Sequence, residues 1–545
     1  MNGYLKVSLW LLAATLGPSA MPANEVKGTI ATNTTWFATN SPYVLTGGVT
    51  VGKGATLRIE PGTSLHIKSG VDLVVTNGGR LLAEGTAAAP IRFTRVPGTT
   101  SRWGGIVVAG SVGSPETRIS YAQIDGNDYT AIYGAGGTLL LDHLTFGSAD
   151  RQYLSLDRSS FVVSHCYFPT GTTQFEPMHG DGGIRADGRA IVRDCYFGGT
   201  LGYSDTIDFT GGNRDKNQPI LQFYNNVFNG TSDDILDLDG TDAWVEGNIF
   251  LHAHRNGAPD TAAAISGGER NRDSSEVTII GNLFFDCDQA ATAKEGNFFT
   301  MINNTIVRTT KTGGRDSASA VLCVRDLEPR PTGFGVGFYM EGNIIVDAEQ
   351  LVRNYVAEST TVTFNHNILP SAWEGPGSGN TIVDPKLKHI PQVSETYFTN
   401  WLDAQILREW FSLLPGSPAL GTGPNGLDKG GVIRLGASIS GEPSAKTSET
   451  TAKLTVGVNR SGNGIPPRGF PSGSGYTHYK WRLDSGAWSA EMPIATPISV
   501  TALAAGPHYV EVIGKRDSGL YQDDPALGAD AVVTRSRTWT VQNKQ

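Results

Sequence analysis

Lys294 and Arg325 hold the same place in two consecutive repeats of this chain. A lysine set beside an arginine in a cleft can do acid–base chemistry, because the neighbouring positive charge lowers the lysine pKa towards that of a general base. Both residues fall in short strand-like phrases that stack by eye: GGIRADG (182–188), DTIDFTG (205–211), DILDLDG (234–240), AAISGGE (263–269), AATAKEG (290–296) and VLCVRDL (321–327). The fourth place of these phrases holds Arg185, Asp208, Asp237, Ser266, Ala293 and Val324. The sixth holds Asp187, Thr210, Asp239, Gly268, Glu295 and Asp326. With Asp205, Asp233 and Asp234 nearby, several carboxylates crowd one face, where like charges repel. A divalent cation, an arginine or plain exposure to water would relieve that repulsion. Hard oxygen ligands on a rigid wall suit Ca²⁺, so Asp208, Asp237 and Asp239 are candidate calcium ligands.

Strict alternation aims the third place inward (Ile184, Ile207, Leu236, Ile265, Thr292, Cys323) and the fifth place with it. The fifth place contains Lys294 and Arg325, and burying one above the other would be very costly. Either the strand bends and exposes both, with Asp326 and Glu295 as surface counter-ions, or the pair lines a polar cleft. Glu269, at the end of its phrase, and Arg308 and Arg315, in or beside the insertion TTKTGGRD, are candidate substrate contacts. His252, His254 and Asp260 form a weaker metal-binding signal, and His179 with Asp181 heads another turn.

The elements that must position these groups are legible. An asparagine, an aliphatic residue or Thr, then Phe, Ile or Leu recurs from Asn226, Asn248, Asn282, Asn304, Asn343 and Asn367, at intervals of 22, 34, 22, 39 and 24 residues. A minimum period near 22 with variable insertions marks a solenoid whose turns bury their apolar faces on one another. Repeated asparagines at one corner can bond from turn to turn. Residues 40–100 alternate apolar and polar, with glycine punctuation. The reading is an all-β chain: a right-handed parallel β-helix over 30–437, a linker over 438–448 and a β-sandwich over 449–545. Within the first of these, 400–413 has helical spacing and is a candidate cap for the open end. Cys166 and Cys195 occupy equivalent places in consecutive turns, which allows either a disulfide or two stacked free thiols.

Composition narrows the function. A net charge of −9 over 545 residues argues against a nucleic-acid partner. Lys6 and the apolar run 7–16 read as a signal peptide over 1–23, too short to span a membrane. A secreted, extracellular or periplasmic protein is expected.

The phrase IEPGT…GGRLLAEGT…PIRFT, followed by Trp103-Gly104-Gly105-Ile106, resembles the opening turns of bacterial right-handed parallel β-helices of the pectate-lyase type. The endings around Asn380–Pro385 and Leu413–Gly421 are similar to those of secreted β-helices. AISGGE, ATAKEGN and MINNTIV look like phrases in large secreted bacterial β-helix proteins that end in a sandwich; that resemblance covers the whole chain and implies architecture more than activity. The final stretch resembles an immunoglobulin-like or fibronectin-III-like sandwich. Lys294 followed one turn later by Arg325 resembles β-helical polysaccharide lyases of the alginate lyase and chondroitinase B type. That resemblance implies Ca²⁺-assisted β-elimination on an anionic polysaccharide, with Lys294 as base and Arg325 as its partner. The paired acidic metal ligands of that family are not matched before Lys294, where Asp286-Cys287-Asp288-Gln289 stands. Two other expectations stand beside it: a non-catalytic module that binds glycans or a cell surface, and glycoside hydrolysis by the Asp208, Asp237 and Asp239 carboxylates.

Overall fold

A computed structural model describes residues 24–543, apart from 148–150, 214–215, 217, 256–261, 310–318, 424–426, 433–435, 458–475, 517–518 and 526–532. The expected signal peptide and Arg315 lie outside the described residues. The chain is all-β apart from a few short helical turns, a parallel β-helix followed by a small β-sandwich. Among the described residues thirty-six strands join by parallel pairing, those within the solenoid each to the equivalent strand one coil before and one coil after. In the central coils each turn contributes three strands, so the solenoid has three sheets.

The interior follows from alternation. Inward residues such as Leu45, Leu57, Phe93, Ile132, Leu141, Ile207 and Leu236 are buried in one continuous core. Within it Phe146, Phe168, Phe197, Phe228, Phe250 and Phe284 stack with ring centroids 4.3–5.1 Å apart, one ring per coil. The repeated asparagines form a ladder at one corner. Asn226 donates from Nδ2 to Asn248 Oδ1 at 2.9 Å, and the same bond runs on through Asn282, Asn304, Asn343, Asn367 and Asn380. Each receiving Oδ1 also accepts the backbone N–H of the asparagine before it. The residue ahead of each rung turns the corner with positive φ, as in Asn225 (54°), Gly247 (71°) and Asn303 (49°), a region that Gly and Asn tolerate best. Cys195 and Cys166 continue the same column, the Cys195 N–H bonding to Asn226 Oδ1 at 3.0 Å and the Cys166 N–H to Cys195 Sγ at 3.4 Å. Both are buried free thiols.

Two of the three sheets carry apolar side chains on their outer faces, and later parts of the chain cover them. On one sheet Tyr196, Val227, Ile249, Leu251, Leu283, Phe285 and Val307 pack under Leu387, Ala404, Leu407 and Phe411. The helical stretch expected to cap the open end therefore lies along the flank, where Trp401 Nε1 donates to Asn225 O at 2.7 Å. An outward apolar column demands cover over its whole length, whereas one end of the solenoid is a single coil. On the second sheet Val162, Ile191, Tyr224, Trp244, Ile280 and Ile302 share a core with Tyr476, Tyr479, Val512 and Trp539 of the small C-terminal sheets. At that junction Arg516 Nε meets Glu246 Oε2 at 2.8 Å, both side chains buried. Trp244 Nε1 and Tyr476 OH donate to the same carboxylate, and burial is offset by these partners so that its pKa stays below the usual range. The stretch expected as a linker contains strands Ser438–Ser440 and Lys446–Thr447, both paired in the C-terminal sheets. It starts against the β-helix because Gly436 N donates to Glu246 Oε1 at 3.0 Å and Ala437 is buried in the shared core.

Two outcomes follow. Asn282→Ala strands buried backbone groups on two coils and lowers stability by about 1–3 kcal/mol, read as a fall in the denaturant midpoint. Arg516→Ala leaves Glu246 buried without its cation, costs about 3–5 kcal/mol, and makes the C-terminal region the first released under limited proteolysis.

Candidate functional site

The third sheet keeps a polar outer face. Its strands in the middle of the solenoid are β1 (Met178–Gly180), β2 (Ile207–Phe209), β3 (Leu236–Asp237), β4 (Ala263–Gly267), β5 (Gln289–Ala293), β6 (Ala320–Cys323) and β7 (Val352–Arg353). The inward column runs Met178, Ile207, Leu236, Ile265, Ala291, Leu322 and Val352. The outward column beside it runs His179, Asp208, Asp237, Ser266, Thr292, Cys323 and Arg353.

This register corrects the alignment by eye in two places. The first strand is Met178–Gly180 and not 182–188. Arg185 instead clamps the neighbouring coils, donating to Ser111 O, Gly136 O and Thr138 Oγ1. From β5 onward the pairing is shifted by one: Ser266 opposes Thr292, and Gly267 opposes Ala293. A one-residue shift exchanges the two faces of a strand. Lys294 thus continues the outward column of Asp239 and Gly268, so neither a bend of the strand nor an inward lysine is needed to keep it out of the core.

Lys294 lies among carboxylates. Its ammonium is 3.2 Å from Asp326 Oδ2, and its side chain is 18% exposed. Burial alone would lower its pKa, but Asp326, Asp237, Asp234 and Asp239 together hold it well above the usual lysine value. The expected lowering by Arg325 is reversed. Arg325 stacks its guanidinium on Phe334, 4.3 Å from the ring centroid, and its buried Nε has no hydrogen-bond partner among the described residues. The segment 326–336 folds over this place. Phe334 bridges to Lys294, Glu295 N donates to Gly333 O at 2.9 Å, and Gly335 N to Val324 O at 2.8 Å. Gly335 approaches so closely that a Cβ would stand 2.0 Å from Ala293 O.

The acidic residues separate into two groups. Asp237 and Asp239 are half-buried, each with an Oδ1 that has no hydrogen-bond partner among the described residues, and between them and β5 the buried Ser266 Oγ is likewise unpaired among them. Burial first, and the charge of Asp239 second, push the Asp237 carboxyl well up; burial also raises Asp239, and Lys294 opposes the rise of both. A Cβ on Gly268 would stand 2.5 Å from Asp239 Oδ1 and 3.0 Å from Glu295 Oε2, so the glycine leaves room for two carboxylates to converge. Asp208 lies with the other group. Its Oδ2 is 3.4 Å from His179 Nδ1, which is also 3.0 Å from Glu176 Oε2, and these bonds push the imidazole up to about 10. A calcium ion at Asp237 and Asp239 would sit against the Lys294 ammonium, so the expected calcium trio divides into a part neutralised by lysine and a part that includes a histidine.

Glu269 lines a cavity of about 520 Å³ with Arg272, Ser274, Glu295, Gly296, Gly333 and Phe334, beside the converging carboxylates. Arg308 lies elsewhere, on the sheet that carries the flanking helices, 3.5 Å from Asp347. Of the His252, His254 and Asp260 signal, Asp260 falls outside the described residues. Both histidines bond to Asp286 Oδ2, at 3.0 and 2.9 Å, and His254 also to Asp288. Burial would lower the His254 pKa, yet Asp286 and Asp288 push it up to about 9. Glu176 was not singled out from the sequence. Its only signal was its place three residues before His179.

Lys294→Met removes the cation that serves Asp237, Asp239 and Asp326 and costs about 3–5 kcal/mol near pH 7. The folded-state pKa of Lys294 is raised, so its contribution is complete below the ordinary lysine value of about 10.4 and fades as pH rises through the folded value. In the variant the loss shrinks towards pH 4, because the uncompensated carboxyls then protonate. Thermal midpoints of both proteins across pH 4–9 measure this.

Residues 28–135 match the family model described as a pectate-lyase like beta helix domain. The matched coils precede the strands that carry the polar face. A comparison with curated proteins gives no match. The first coils are thus similar to a pectate-lyase like β-helix.

Proposed function

We propose that this protein is exported and cleaves a polysaccharide by hydrolysis on the outer face of β1–β7, with Asp237 as proton donor and Asp239 as the partner carboxylate. The observation that carries this reading is the group of unpaired buried polar atoms on adjacent coils, Asp237 Oδ1, Asp239 Oδ1 and Ser266 Oγ. Buried polar atoms are costly unless a partner arrives, and sugar hydroxyls offer donors and acceptors to all three. The similarity of the first coils to a pectate-lyase like β-helix supports a polysaccharide as the partner.

The roles follow from the environments. Glycosidases place a protonated carboxyl beside an ionised one, with pKa values pushed apart. Burial raises both carboxyls, Asp237 further than Asp239, and Lys294 opposes the rise in each, so Asp237 is the better placed to carry the proton. Asp237 donates its proton to the glycosidic oxygen as the bond to the leaving sugar breaks. Asp239 takes a proton from the attacking water. Lys294 stays an ammonium: it holds the carboxylates in place and does not act as the base that β-elimination needs. The net charge of the face favours an uncharged chain over the anionic one implied by the lyase resemblance. Glu176, Asp208, Asp234, Asp239, Glu269, Glu295 and Asp326 outnumber His179, Arg272, Lys294, Arg325 and Arg353 there, and like charge repels an anionic sugar.

The test is new reducing ends set against unsaturated uronate absorbance, on panels of neutral and uronate polysaccharides. Reducing ends from a neutral polymer, without unsaturated product, are expected. Asp237→Asn and Asp239→Asn each lower kcat by about 10²–10⁴-fold. Unsaturated product that disappears in Lys294→Ala restores β-elimination. Binding without any product restores the non-catalytic module.

A further inference from the structure

We propose that Glu176, His179 and Asp208 form a site for a divalent transition-metal ion, zinc being the probe that defines it. The three side chains come from two adjacent coils: His179 on β1 opposes Asp208 on β2, and Glu176 leads into β1.

The distances fit a metal. A tetrahedral zinc with bonds of about 2.0–2.2 Å has ligand-to-ligand edges of about 3.3 Å. His179 Nδ1 is 3.0 Å from Glu176 Oε2 and 3.4 Å from Asp208 Oδ2. All three ligand atoms lie within 4.8 Å of one another.

The hydrogen-bond accounting points the same way. One imidazole nitrogen carries at most one proton, yet two carboxylate oxygens converge on Nδ1. A single N–H serves both only through a weaker three-centre bond, whereas a divalent cation would join all three ligands at once. An imidazole with two carboxylates is a donor set that suits zinc and its neighbours better than calcium, which prefers six or more oxygens.

The other histidine clusters differ. His252 and His254 share Asp286 Oδ2, and His252 Nε2 is also taken by Thr396, with His252 and Asp286 both buried. His143 and His165 stack face to face at 4.4 Å, and their Nδ1 atoms bond to different oxygens of Asp142. At Glu176, His179 and Asp208 the side chains are 28%, 28% and 23% exposed, so a fourth position faces solvent, as in zinc sites that keep one ligand place open.

This site is tested without substrate, so its failure is distinct from failure of the cleavage reading. Chelator-treated full-length protein is titrated with Zn²⁺ by calorimetry, and Co²⁺ is used for its visible absorption bands. The expected result is one site per chain, with Co²⁺ bands typical of four-coordinate nitrogen and oxygen ligands. His179→Ala and Glu176→Gln each weaken zinc binding at least about tenfold, while His143→Ala and His252→Ala leave it unchanged. Circular dichroism of each variant separates loss of the site from loss of the fold, and for a misfolded variant the more conservative His179→Gln takes its place. The proposal is overturned if zinc does not bind, or if binding survives both His179→Ala and Glu176→Gln.

Discussion

Everything in this molecule depends on coils stacking in register, and the asparagine ladder is where register is enforced. Each rung does two things at once: its Nδ2 reaches the next asparagine, and its Oδ1 takes the backbone N–H of the asparagine before it. A slip of one residue on any coil would break both bonds and strand buried polar groups, a penalty of about 1–3 kcal/mol per group. The corner is therefore fixed first, and insertions of any length are pushed into the loops. That is why the intervals between rungs vary while the sheets stay aligned. Cysteine holds the same column in two earlier coils, with the Cys195 N–H bonded to Asn226 Oδ1.

A solenoid of this kind has three outer faces, and their chemistry decides what each can do. Two of them display Val, Ile, Leu, Phe, Tyr and Trp, and the chain returns to cover both, with the 387–411 segment on one and the C-terminal sheets on the other. The C-terminal sheets are fixed by more than apolar contact, because the Glu246–Arg516 pair is enclosed by Tyr224, Trp244 and Tyr476. The remaining face carries His179, Asp208, Asp237, Asp239 and Lys294, which gain nothing from an apolar cover. Function is assigned to this face by elimination as well as by its own groups.

The architecture was legible in the sequence because its signals are local: alternation, glycine turns and the Asn phrase each sit within a few residues. The site was legible only in part. Asp208, Asp237, Asp239, Glu269, Lys294 and Arg325 fall in neighbouring repeats of the sequence, but the face each occupies is not readable there. The phrase AATAKEG aligns with AAISGGE by its flanking residues, whereas the backbone pairs Ser266 with Thr292. Nothing within seven residues distinguishes the two registers, since Ala291, Thr292 and Ala293 are all small enough for either face. What distinguishes them is the segment 326–336, which meets Lys294 and Glu295 from another coil. Glu176 carries little signal for a related reason, because the second carboxylate on His179, Asp208, is distant in sequence and adjacent only across the coil.

The lysine makes the physical lesson concrete. Lys294 beside Arg325 suggested a base, because one positive charge lowers the pKa of another. The field at Lys294 is instead set by how many charges surround it and how near they are. Asp326 lies 3.2 Å away, and Asp234, Asp237 and Asp239 act on the same ammonium, while Arg325 turns its charge to the ring of Phe334. Four carboxylates outweigh one guanidinium, so the lysine keeps its proton. The same field works in reverse on its partners. Lys294 draws both Asp237 and Asp239 towards the ionised form, yet burial raises both, and Asp237, pressed also by the charge of Asp239, resists ionisation more. Unequal burial of two carboxyls around one shared cation pushes their pKa values apart, which is the condition an acid–base pair requires.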